Sequence, residues 1–257
     1  MRKGCSLLNL RNLYRAFHES RKAARKHASL AVTGVLPEAE KLADLLGAGR
    51  DIGRAEAVLT VTAGRASLSG KAVEDPGEIP IPAALSKEIV LRDVVPWVVG
   101  SLDEDHLVAL GRGYPVFRRA VCERIIHKNA RQNGVIGALP IPGADMPAIV
   151  ANQGRMVLGI AALYGEEISL ERARELLGVL AAGLGFRALA RQVLKLVPVA
   201  GWAASGAIGY AATLAVGRAA IVYFERGKKK PEPEQLAEIR RSARKEAGDF
   251  LARIRRL

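Results

Sequence analysis

The chain has almost no cysteine. Of its 257 residues only Cys5 and Cys122 are thiols, with no paired spacing, so neither a disulfide framework nor a thiolate metal site is on offer and a reducing compartment fits best. Histidine is also scarce. His18, His27, His106 and His127 never stand at His-x-x-x-His or His-x-x-Glu spacing, which argues against a resident zinc ion. Aromatics make up 5% of the chain. Trp97, Trp202, Tyr210, Tyr223 and Phe224 lie in apolar context, as core or interfacial anchors rather than a base-stacking platform. The basic N-terminus lacks the apolar stretch and cleavage site of a secretory signal. No nucleophile, base and orienting group line up, so no catalytic residue, no metal ligand and no cofactor are expected.

What is abundant is small apolar side chains and positive charge. The apolar fraction is 49%, carried by Ala, Gly, Leu and Val, which favours helices that approach closely. The net charge of +13 sits at the ends: residues 1–30 carry +7 and residues 225–257 carry +5, while the body is nearly neutral. Basic ends suit anionic lipid or nucleic acid, and equally suit solvated helix faces.

The expected architecture is mainly α, a helical bundle or hairpins with an internal pseudo-repeat and a small irregular or short-strand region near 47–82. Residues 1–46 read as a basic helical segment. Leu10, Leu13, Tyr14 and Phe17 form an apolar stripe on a basic helix over 5–30, and Pro37 opens a second helix that Gly47 ends. Residues 47–114 read as an irregular, linking region with one strand near 57–62 and short helices. Pro96 kinks or ends the segment 83–99, and Ser101 caps the helix after it. Residues 115–224 read as a helical domain, opened by a helix from Pro115 to about Asn133, and residues 225–257 as a basic helical tail.

Only 12 of the 92 residues in 133–224 are charged, and the segment repeats itself. "LPIPGADMPAIVANQGRMVLG" from Leu139 lies on "VPVAGWAASGAIGYAATLAVG" from Val197 at an offset of 58, each a Pro-x-x-Gly turn leading into a helix of small residues. Leu196 to Gly217 is uncharged for 22 residues. That is long enough to span a bilayer, which needs about 20. Seven alanines and four glycines make the drive for insertion weak, so a buried core helix and a membrane helix both stand. Ala203, Ala207, Ala211, Ala215 and Ala219 recur every four residues, a stripe that brings two helix backbones together within one chain or between copies in a homo-oligomer.

"TVTAGRASLSGKA", from Thr60, imitates a phosphate loop. Five residues rather than four separate Gly64 from Gly70, Ala72 replaces the metal-binding hydroxyl, and Pro76, Pro80 and Pro82 break the helix that should follow. A degenerate nucleotide hydrolase using Lys71 is therefore a rival reading only. A nucleic-acid-binding protein using both basic arms is a second, ranked lower because no binding motif accompanies the charge. Asp145 is expected to cap its helix. Asn152, Gln153 and Arg155 interrupt the same apolar helix, and with Asp145 they form the candidate partner-contact cluster.

"LPIPGADMPAIVANQGRMVLGIAALYG", "ELLGVLAAGLGFRALARQVLKLVPVAGW" and "LAVGRAAIVYFERG", in this order and preceded by "VALGRGYPVFRRAV", resemble the bacterial domain of unknown function six-nine-seven family. The resemblance covers a little under half of the chain. It implies an α-helical module that commonly follows an Era-like GTPase domain and is associated with membranes, and it implies no catalytic residue. The 114 residues ahead of Pro115 are fewer than an intact GTPase domain occupies, and they hold no Asp-x-x-Gly closing a strand and no Asn-Lys-x-Asp. The expected function is a non-enzymatic, membrane-associated scaffold or regulatory module with a separate GTPase as partner. It would act at an anionic surface on the cytoplasmic face of the inner membrane, peripherally or through one spanning helix, or else in the cytoplasm.

Overall fold

A computed structural model describes residues 28–138, 145–166, 178 and 201–254. The described residues fall into two compact units, one ending at Val121 and one beginning at Cys122. The boundary lies inside a long helix.

The first unit is built on a four-stranded mixed sheet in the order β1 (Leu30–Thr33), β2 (Ala57–Thr62), β3 (Arg65–Ser69) and β4 (Gly77–Pro80). β1 pairs parallel to β2, and β2 to β4 form an antiparallel meander. Helix α1 (Pro37–Leu46) crosses between the parallel strands. Its Ala39, Leu42, Ala43 and Leu46, spaced at i, i+3, i+4 and i+7, are buried together with alternate residues Ala57, Leu59 and Val61 of β2. Pro37 starts α1, and Gly47 ends it in the left-handed region at φ 66°.

The region 47–82 is thus more ordered than one strand. β3 and β4 were not expected, because Ser67, Ser69 and the prolines dilute the strand signal. Ala66 and Leu68 nevertheless alternate inward against β2. The phosphate-loop imitation is the hairpin itself. Thr62 pairs with Arg65 across a two-residue turn in which Gly64 has φ 75°. Gly70, at φ 127°, packs so closely on the Glu56 carbonyl that a side chain would strike it. The Ala72 N–H, where a phosphate would be cradled, donates to that same carbonyl at 3.0 Å. Leu30, expected at the end of the basic helix, opens β1; the rest of that helix up to residue 27 lies outside the described residues. Tyr114 holds this strand's start, its hydroxyl accepting from the Leu30 N–H at 2.8 Å.

Helix continues through Pro96 rather than ending there. α2 (Lys87–Ile89), capped by Ser86, passes through a π-helical turn at Val90–Val94 into α3 (Val95–Ser101). The wide turn lies where the proline ring would otherwise meet an α-helical carbonyl. Ser101 closes α3 and does not cap the next helix. Asp103 caps α4 (Glu104–Gly113) instead, accepting from the Asp105 N–H at 3.1 Å. An ionised carboxylate is a better acceptor there than a hydroxyl at the end of a preceding helix.

α5 (Pro115–Ala138) runs five residues beyond the expected end at Asn133, and its residues from Cys122 onward begin the second unit, whose described elements are all helices. The unit adds α6 (Asp145–Leu163), α7 (Gly201–Glu225) and α8 (Pro233–Ile254). α6 and α7 are the helices of the two repeat halves; the Pro-x-x-Gly turn of the first, and Val197 to Ala200 of the second, lie outside the described residues.

Candidate functional site

Among the described helices of this unit α7 is central, packing on α5, α6 and α8. Ala207, Ala211, Ala215 and Ala219, the described part of the alanine stripe, are fully buried. Its glycines let α5 come closer still. A methyl group at Gly206 would lie 2.6 Å from the Gly134 carbonyl oxygen, one at Gly209 would lie 2.7 Å from that of Asn133, and one at Gly137 would lie 2.9 Å from that of Ser205. Gly217 packs against Ile126. As numbers rise on one helix they fall on the other, so α5 and α7 run antiparallel in near backbone contact. A seam of small residues gains dispersion along its length without having to order long side chains. The Phe250 ring of α8 covers Gly134 and stacks on Tyr210, with centroids 4.4 Å apart.

A polar seam threads this apolar interior. The Asn133 side chain donates to the Thr213 hydroxyl at 2.8 Å, and that hydroxyl donates to the Gly209 carbonyl at 2.7 Å. The Gln153 amide reaches the same hydroxyl at 3.3 Å. The Asn152 amide donates to the Asn133 side-chain oxygen at 2.9 Å and to the Asn129 carbonyl at 3.3 Å. α5, α6 and α7 are thereby fixed in one register, since a slip would strand buried donors.

A charged clamp closes the other half of α7. The Arg218 guanidinium forks onto both Glu123 oxygens of α5, at 3.2 and 3.1 Å, and reaches Ser242 at 2.9 Å and Glu246 at 2.6 Å on α8. His127 stands 3.6 Å from Glu123 and 3.7 Å from Glu246. Burial works against ionisation of Glu246. The Arg218 bonds and charge, the His127 charge and the Ser242 hydroxyl outweigh it and hold the carboxyl below its ordinary 4.5. Arg218 supplies the cation that two facing carboxylates need. Among the described residues no three His, Cys, Asp or Glu side chains converge as a metal site.

Of the cluster singled out in the sequence, Asn152 and Gln153 turn inward and spend their amides within the unit. Arg155 is exposed. Asp145 opens α6, and its side chain, with the capping expected of it, lies outside what is described. The structure brings Asn152 and Gln153 together with Asn129, Asn133 and Thr213, which sequence reading had passed over, and does not bring Arg155 to them. Gly134-x-x-Gly137 and Gly206-x-x-Gly209 were the legible signal for the seam. The clamp had none, because Arg218 lies 95 residues from Glu123 and 28 from Glu246 along the chain.

Ser205–Glu225 is long and apolar enough to cross a membrane by length and composition, and 78% of its apolar window is buried inside the molecule. Its neighbours are α5, α6 and α8. α5 and α8 carry exposed Lys128, Arg131, Arg241, Lys245 and Arg253 on their outer faces.

The family model described as Domain of unknown function (DUF697) matches residues 114–248. Magnetosome membrane protein 22 of Magnetospirillum gryphiswaldense is 31% identical over 120 residues, which are 44% of this chain and 62% of that protein. The chain thus spans somewhat less than two thirds of that relative's length. No solved structure matches.

Proposed function

From the premise that the chain belongs to the DUF697 family, we propose that it is a non-catalytic, membrane-associated helical module acting as a scaffold or regulator. The observation that carries the reading is the similarity to a protein named as a magnetosome membrane protein. The interior chemistry supports it: buried amides and hydroxyls are consumed by helix-to-helix bonds. We read the attachment as peripheral. Inserting α7 would carry with it the Arg218 clamp and the charged outer faces of α5 and α8, and each basic side chain at mid-bilayer costs about 2.5–3.5 kcal/mol. The attachment is to the cytoplasmic face, and the partner is a separate GTPase. That last element rests on the family resemblance alone.

Cell fractionation tests the reading. The chain is expected in the membrane fraction and is expected to leave it in alkaline carbonate. Full recovery in the soluble fraction overturns membrane association, and retention through carbonate overturns the peripheral mode. The partnership is tested by the GTP turnover of a GTPase encoded beside this chain, with and without the chain; an unchanged rate and no co-purification count against it.

A further inference from the structure

Resting on the membrane reading, we propose that one end of the helical unit, where α6 and α7 finish and α8 begins, is the face that docks on anionic lipid headgroups. α7 stops in a tight turn. The Gly227 N–H donates to the Phe224 carbonyl at 3.0 Å and the Lys228 N–H to that of Tyr223 at 2.8 Å, with Gly227 and Lys228 both in the left-handed region at φ 66° and 68°. The turn presents Lys228, Lys229 and Lys230, all exposed, in succession.

The end of α6 joins the same surface. Tyr164 stacks on Phe224 with centroids 5.2 Å apart, and Tyr223 meets Phe224 edge-on at 5.3 Å. Two half-buried tyrosines thus stand beside a basic turn. Amphipathic rings at headgroup depth beside ammonium groups facing phosphate make up the chemistry of an interfacial anchor.

Acids are present here and are accounted for locally. Glu166 holds Lys228 at 2.8 Å, Glu232 holds Arg226, and Glu225 takes the Tyr164 hydroxyl at 3.5 Å. Glu234 lies in the first turn of α8, at the positive end of that helix. Lys229 and Lys230 are exposed and have no carboxylate within ion-pairing distance among the described residues. Each lysine near an anionic surface strengthens partitioning about fivefold at moderate salt.

The test is flotation of the purified full chain with vesicles of phosphatidylcholine alone and of phosphatidylcholine with phosphatidylglycerol. The variants are K229A/K230A and, as a charge-matched control, K71A/K87A, which removes two exposed lysines of the small unit. The wild type is expected to float with the anionic vesicles and to be released by half-molar salt. K229A/K230A is expected to partition about twenty-fold more weakly, with unchanged far-ultraviolet dichroism, and the control is expected to match wild type. Undiminished flotation of K229A/K230A, equal loss in the control, or equal flotation on both vesicle types overturns the docking face and leaves the membrane reading standing. Failure of the wild type to float with either vesicle overturns both, as does binding to a DNA oligonucleotide in the absence of any flotation.

Discussion

In the small unit Leu42, Leu46, Leu59 and Leu68 fill the space between helix and sheet. In the helical unit Gly134, Gly206 and Gly209 remove that space. The first core is held by apolar volume, which tolerates rearrangement because neighbouring side chains can relax into a change. The second is held by backbone proximity, and a backbone has nowhere to move. Its polar seam adds a second rigidity, since Thr213 alone serves Asn133, Gln153 and the Gly209 carbonyl. Adding atoms should therefore harm the helical unit most, while removing them should harm the small unit most.

The largest expected effect comes from Gly209→Val. Even its Cβ meets the Asn133 carbonyl at 2.7 Å, so the variant should lose about 3 kcal/mol or more, seen in urea melts of the helical signal. A loss under about 1 kcal/mol would mean that the seam is looser than described. Next, Leu59→Ala, at a fully buried position, should cost about 2–5 kcal/mol in the small unit, with near-ultraviolet dichroism reporting whether the Tyr210–Phe250 pair is untouched.

Arg218→Ala should cost about 2 kcal/mol, because it leaves Glu123 and Glu246 facing each other half-buried. Thr213→Val keeps the volume and removes the shared hydroxyl; about 1–3 kcal/mol is expected, and a neutral result would show that the amides find other partners. The smallest effect is acid sensitivity. Glu246 has a depressed folded-state pKa, so its contribution is complete above about 4.5 and is lost as pH falls below that value through the folded pKa. A pH series of melting temperatures should show an acid limb that flattens in Glu246→Gln. An unchanged limb would assign it to other carboxylates.

Local rules were read well where one residue carries the signal. Pro37 and Gly47 bounded α1, the apolar run Ala57-Val58-Leu59 marked β2, and the small-residue run marked α7. Reading failed where a partner decides the outcome. β3 and β4 are strands because β2 lies beside them, and Asp103 rather than Ser101 caps α4 because α3 consumes Ser101. The candidate cluster divided for the same reason. Asn152, Gln153 and Arg155 lie within four residues of one another, yet helical rotation sends the amides inward and the guanidinium outward.

By itself the sequence determined the helical class, the family, the small-residue character of α7 and the placement of positive charge, because composition and short-range spacing encode these directly. Packing between distant segments settles that the uncharged helix is wrapped by its own chain and that Arg218 is neutralised by acids from two other helices. It alone brought the end of α6 beside the basic turn after α7. Each of these depends on which surfaces meet, and that choice is made by packing energies summed over residues far apart in the chain.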